Sequence, residues 1–104
     1  MTGGLNDIMR QAQRMQSEIA EVREEVADRE FEASMGGGAV VATVNGDQEV
    51  LNVEIDPDAV EPDDVDVLEE MITGAINRAL EEANETLEEE IEEVTGGMDV
   101  PGLF

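Results

Sequence analysis

The 104-residue chain has no cysteine, histidine, lysine, tryptophan or tyrosine. Without cysteine there are no disulfides and no thiolate metal sites. Without histidine the commonest metal ligand and the usual general base are missing together. Ser17 and Ser34 have neither histidine nor lysine to activate them as nucleophiles. Carboxylates are plentiful, but no spacing selects a pair for acid–base work. Asp56, Asp58, Asp63 and Asp64 lack the glycine and terminal glutamate of a calcium loop and read as a solvated acidic loop. The expectation is a protein that is not an enzyme and needs no cofactor or metal. No apolar run follows a basic segment at the N-terminus, and no stretch approaches the roughly 20 apolar residues of a membrane span. The chain is therefore expected to be soluble, cytoplasmic and free of membrane contact. Phe31 and Phe104 are the only aromatics, so Leu, Ile, Val, Met and Ala must build the core. The methionines within helices read as core, not as a binding groove.

Basic residues are the other scarcity. Five arginines face 28 acids, giving a net charge of −23. Disorder would suit such a balance, but the apolar residues recur too regularly for that. A folded protein from a salt-rich cytoplasm fits better, because at about 1 M ionic strength the Debye length shrinks to about 3 Å.

One domain is expected over 1–104, with flexible tails at 1–4 and 95–104. Leu5, Ile8, Met9, Ala12, Met15, Ile19, Val22 and Val26 recur at spacings of three and four. They predict an amphipathic helix from Leu5 to Ala27 with a near-heptad seam. Phe31, Ala33 and Met35 alternate with polar residues as a strand, and Gly36-Gly37-Gly38 supplies a flexible hairpin connection. Ala39 to Val44 is apolar on both faces, which predicts a central strand covered on two sides. Asn45-Gly46 predicts a two-residue type I′ turn. Leu51, Val53 and Ile55 complete a three-stranded antiparallel meander. Pro57 and Pro62 bracket a loop, with Pro62 expected in the first turn of the next helix and Asp63, Asp64 and Asp66 at its positive end. That helix should run to about Val94, roughly 45 Å at 1.5 Å per residue. The fold class is α+β: helix, three-stranded antiparallel meander, long helix. Connectivity lets residues 5 to 15 and 81 to 94 project from the sheet as an antiparallel pair.

Several short segments, in this order and spacing, resemble the YbaB/EbfC family. They are Ile8-Met9-Arg10-Gln11-Ala12-Gln13-Arg14-Met15-Gln16, Val53-Glu54-Ile55-Asp56-Pro57 and Leu68-Glu69-Glu70-Met71-Ile72. Ala75-Ile76-Asn77-Arg78-Ala79 and Thr95-Gly96-Gly97-Met98 continue the match. The resemblance implies a tweezer-like homodimer whose projecting helical pairs contact double-stranded DNA. It also implies residence on the bacterial nucleoid and a part in nucleoid organisation, gene regulation or recombination.

The candidate DNA contacts are Arg10, Arg14, Arg23 and Arg78, since guanidinium pairs well with phosphate oxygens. The competing reading pairs them, and Arg29, with the protein's own acids. Arg78 can bridge to Glu81 or Glu82, and Glu81 to Glu93 crowd the far end of the second helix. A second function follows from the same charge: acidic arms that dock a basic DNA-processing protein without touching DNA. An arginine patch on the arms would favour DNA, and uniformly negative arms a protein partner.

Overall fold

A computed structural model of the chain describes residues 3–96. The helix expected from Leu5 forms as α1 (Gly3–Asp28). Its last turn closes with Arg29 N–H donating to the Val26 carbonyl at 3.1 Å, and the chain enters β1 (Glu30–Met35) immediately. Strands β2 (Val40–Asn45) and β3 (Val50–Ile55) complete an antiparallel sheet of order β1-β2-β3. A short 3-10 turn (Pro57–Ala59) precedes α2 (Val65–Thr95), whose C-cap is Gly96. The tails expected at 1–4 and 95–104 are shorter: Gly3 and Gly4 already belong to α1, Thr95 ends α2 and Gly96 caps it, and residues 1–2 and 97–104 lie outside the described residues.

The meander is in register from Glu30↔Asn45 to Met35↔Val40, and from Val40↔Ile55 to Thr43↔Asn52. Gly36, Gly37 and Gly38 all take positive φ (66°, 68° and 95°), a run only glycine adopts without strain. The second hairpin differs from the type I′ expectation. Asn45 opens the turn, its carbonyl accepting from Gln48 N–H at 3.1 Å and its N–H donating to the Glu49 carbonyl at 3.0 Å. Its side-chain oxygen also accepts from the N–H groups of Asp47 and Glu49. Gln48, with φ 65°, takes the left-handed position. Gly46 has another duty: a Cβ there would collide with the Val26 carbonyl of α1. The end of α1 rests on this turn, and Gly46 N–H donates to the Arg29 carbonyl at 3.2 Å.

Pro62 does not enter α2. It follows Glu61 in a turn closed by Asp64 N–H to the Glu61 carbonyl (2.9 Å), a position that the fixed φ of proline suits. Asp64 is the N-cap but makes no side-chain cap bond, and Asp66 lies in the first turn. Asp56 accepts from Asp58 N–H at 3.0 Å, so one carboxylate of the acidic loop caps the 3-10 turn.

Helix α2 builds both parts of the core. Ala75 packs with Val40 and Ala42, and Met35, Val53, Leu68, Met71, Ile72 and Ile76 surround them. Further along, Ala79 and Ala83 meet Val26, Phe31 and Val44, with Val22, Ala33, Leu80 and Leu87 around them. Ala75, Ala79, Ala83, Ile91 and Thr95 are buried at four-residue multiples. Each four-residue step turns the helix by about 40° beyond a full turn, so this line passes from the sheet onto α1. Alanine along it lets the helix backbone approach closely.

Strand β2 is central, as expected, but covered on one face. Val40, Ala42 and Val44 lie fully buried under α2, while Val41 and Thr43 on the other face are half-buried. β3 lies at the edge, leaving Val50, Leu51 and Ile55 exposed, together with Val60, Val65 and Val67 around the start of α2.

The molecule measures 75 × 20 × 18 Å with a radius of gyration of 19.8 Å. A compact chain of this length would have about 13 Å. The helices project side by side, but the expected pairing of residues 5 to 15 is corrected. Ile19, Val22 and Val26 carry the buried face of α1, whereas every residue from Gly4 to Arg14 is exposed. The cause is arithmetic of length. Helix α2 crosses the sheet before it reaches α1, leaving about 17 residues from Ala79 to Thr95 for pairing. All 26 residues of α1 depart from the sheet's end. The excess is about nine residues, on the order of 13 Å.

Candidate nucleic-acid interface

The exposed start of α1 carries Arg10 and Arg14 one turn apart. Arg10 approaches Asp7 at 3.9 Å, three residues away, with both side chains largely in solvent. Such a contact is worth little and leaves the guanidinium available. Arg14 makes no ion pair among the described residues. No acid occurs from Ile8 to Ser17. The first 17 residues hold two arginines and one aspartate, whereas the rest of the chain holds three arginines and 27 acids.

Arg23 and Arg78 do not join this pair. Arg23 lies nine residues further along α1, roughly 13 Å toward the sheet, among Glu21, Glu24 and Glu25. Arg78 is exposed on α2 beside Ala79, at the level of the sheet. The bridge from Arg78 to Glu81 or Glu82 is not formed: among the described residues Arg78 has no ion pair. The four candidates are thus one pair at the tip and two separate cations.

Arg29 behaves as the competing reading has it. Its guanidinium grips Glu90 through two hydrogen bonds, one of them from Nη2 to Oε1 at 2.9 Å. This fork joins the α1–β1 corner to α2 across 61 positions of sequence. The bond to Glu90 raises the arginine's pKa, with desolvation opposing it and the charges of Glu90 and Glu25 adding smaller help.

The same end of α1 carries three large apolar side chains that the sequence placed on a packed seam, and helical spacing sets them on the face opposite Arg10 and Arg14. Leu5 is 68% exposed, Ile8 64% and Met9 54%. Met9 is therefore not core, in contrast to Met35 and Met71. Asn6, Gln11, Gln13 and Gln16 complete this end with uncharged donors and acceptors. The surface is a narrow, weakly cationic rod tip with apolar and amide side chains. The far part of α2 differs sharply: Glu81, Glu82, Glu85, Glu88, Glu89, Glu92 and Glu93 are all exposed. Near the start of α2, an open depression lined by Asp66, Glu69, Glu70, Thr73 and Gly74 offers no nucleophile held by a base.

The described fold resembles a crystal structure of an uncharacterised protein from Helicobacter pylori. Its TM-score is 0.67 at 23% identity, covering 91% of this chain and 94% of the other. A nucleoid-associated protein of Clostridium novyi is 45% identical, covering 100% of this chain and 93% of the relative. Another from Clostridium perfringens is 47% identical, with 98% and 91% covered. Residues 1–98 match the YbaB/EbfC DNA-binding family. That match spans both helices, the meander and the rod tip, and it is to a DNA-binding family, not an enzyme family. With full-length relatives above 40% identity, it establishes that this chain belongs to the YbaB/EbfC DNA-binding family.

Proposed function

We propose that this chain binds double-stranded DNA on the nucleoid as a homodimer, through the arms that project from its sheet. The observation that carries the reading is the arginine pair at the free end of α1, on a chain whose family is a DNA-binding one. Two cations one turn apart, with Asp7 ahead of Arg10 as their one weak acidic neighbour, suit adjacent phosphates of a backbone. The acidic remainder limits the contact to that end, because a net charge of −23 repels a polyanion elsewhere. Arg23 and Arg78 belong to this reading as secondary contacts, since neither is held by a carboxylate among the described residues.

The dimer is supported by the exposed apolar margin of Val50, Leu51, Ile55, Val60, Val65 and Val67. Apolar side chains left exposed on an edge strand and at the start of a helix offer a surface to a second copy. Ile55, Val60, Val65 and Val67 belong to the end of the sheet away from the arms, so pairing there leaves both tips free. Nucleoid organisation, gene regulation and recombination are the roles that such a dimer would serve. The surface acidity suits a salt-rich cytoplasm, where repulsion from DNA is screened.

The test is fluorescence anisotropy of a labelled 30-base-pair duplex from dilute buffer to molar KCl, with light scattering on the same samples. Saturable binding by a particle of twice the 11.3 kDa chain mass is expected. No binding at any salt where the protein is folded refutes the reading. That outcome moves the function to the second reading, favoured by the exposed glutamates of α2: acidic arms that dock a basic DNA-processing protein.

A further inference from the structure

We infer that Asn45-Gly46 is a site of spontaneous covalent modification that the seated end of α1 holds closed. When that contact opens, the site can convert to an isoaspartate that keeps α1 from seating again.

The chain has five asparagines, and only Asn45 precedes a glycine. The following residue matters because its backbone nitrogen is the nucleophile, and glycine has no side chain to crowd the approach. Once hydroxide has taken its proton, the Gly46 nitrogen bonds to Asn45 Cγ. The carboxamide nitrogen takes a proton from water and leaves as ammonia. The product is a five-membered succinimide, in which that nitrogen is joined to two carbonyl carbons. Water then breaks one of these two bonds. Opening at Cγ leaves aspartate; opening at the backbone carbon leaves isoaspartate, with the chain running through the former side chain. The sum is asparagine and water giving acid and ammonia, with no oxidant or enzyme required.

In the folded molecule the reacting groups are engaged elsewhere. Gly46 N–H donates to the Arg29 carbonyl at 3.2 Å. Asn45 Oδ1 accepts from Asp47 N–H at 2.9 Å and from Glu49 N–H at 3.0 Å, which fixes the carboxamide within the turn. Closing the ring requires these three hydrogen bonds to break together. At roughly a factor of five each, their loss corresponds to about a hundredfold in rate. Gly46 also lies so close to the Val26 carbonyl that even a Cβ has no room, so the loop rearranges only when α1 lifts. Both residues are half-buried, within reach of water once it does.

The two products differ in what they do to that seat. Aspartate keeps the backbone length, and its carboxylate still accepts from the Asp47 and Glu49 N–H groups. Isoaspartate inserts one more carbon into the backbone ahead of Gly46, where the fold has no space for a methyl group. It therefore displaces the Gly46–Arg29 bond and frees the end of α1, the root of the projecting arm.

The experiment incubates the natural chain at pH 8.5, folded in 1 M KCl and unfolded in guanidinium chloride. Peptide mapping by mass spectrometry follows ammonia loss and the 1 Da gain at residue 45. The unfolded chain is expected to convert, and the folded chain at least tenfold more slowly. An unfolded chain that does not convert, or a folded rate within tenfold of the unfolded one, overturns the inference. The isoaspartyl chain is then purified, refolded and compared with Asn45→Asp and with the natural chain taken through the same cycle. Its Tm is expected to lie at least about 5 °C below that of Asn45→Asp. Failure of the isoaspartyl chain alone to refold supports the same conclusion. Equal Tm values for the two acids overturn the effect on α1.

Discussion

Replacing Gly46 with alanine should destabilise this protein, although glycine-to-alanine changes in permissive places do the opposite. The usual gain is about 0.4–1 kcal/mol, from restricting the unfolded chain. At Gly46 the added methyl meets the Val26 carbonyl, with the Ala27 nitrogen 2.9 Å away. All of these are backbone atoms, so no rotamer change relieves the contact. The end of α1 must lift from the turn. Lifting breaks the hydrogen bond from Gly46 N–H to the Arg29 carbonyl, worth about 0.5–1.5 kcal/mol. It also loosens Val26, which is 1% exposed at the meeting point of α1, the sheet and α2. Partial loss of a buried valine costs about 1–2 kcal/mol. After the unfolded-state gain, a net loss of roughly 1–3 kcal/mol remains, or a fall in Tm on the order of 5–20 °C for a chain of this size. Gly4→Ala is the matched control: nothing lies within 4 Å of its Cβ, and it sits in α1. It should stabilise by about 0.5–1 kcal/mol. Both variants are followed by calorimetry and urea unfolding at one protein concentration in 1 M KCl, since self-association would shift Tm with concentration. A Gly46→Ala protein with an unchanged or higher Tm refutes the close approach of α1 to the hairpin.

Further outcomes follow from the same packing and charge. Glu81, Glu85, Glu89 and Glu93 are successive four-residue neighbours, as are Glu88 and Glu92, each pair costing roughly 0.2–0.5 kcal/mol at low salt. Helicity by circular dichroism should therefore rise from dilute buffer to molar KCl, and a flat signal contradicts this. Ala79→Leu forces a larger side chain into a fully buried position between α2 and the sheet and should cost about 1–3 kcal/mol in urea unfolding. Glu90→Gln removes the charge that holds Arg29 and should lower Tm, whereas Glu89→Gln, beside it on the exposed face, should leave Tm unchanged or raise it. Equal effects of the two would show that the Arg29 fork contributes nothing.

Element order, strand alternation and the long second helix were legible because each rests on local periodicity. The expectations that failed depended on distance between elements. Asn45-Gly46 matches a two-residue turn by composition, yet Gly46 is required by α1, which is remote in sequence. Pro62 suits a helix start and a turn equally, and the Glu61–Asp64 bond selects the turn. Among candidate contacts, the proximity of Arg10 and Arg14 follows from helical spacing alone. That Arg29 finds Glu90, while Arg78 ignores Glu81 and Glu82, depends on rotamers that periodicity does not encode. The exposure of Leu5, Ile8 and Met9 had a readable signal: the residues α2 uses over the sheet, subtracted from its length, leave too few to cover α1.

From Ala75 to Thr95 the second helix contains neither glycine nor proline. One rod therefore lies on the sheet at one end and forms the arm at the other, with no joint between them. An arm of this kind cannot swing by itself; it moves only as the sheet beneath it turns. Over the lever of about 30 Å from Ala75 to Thr95, a sheet rotation of 10° displaces the far end by about 5 Å, more than one base-pair step of a duplex. In the proposed dimer the gap between two such arms would be set where the copies meet, so a substitution at that distant contact would change the gauge of DNA the tips could grasp without altering a single residue that touches it.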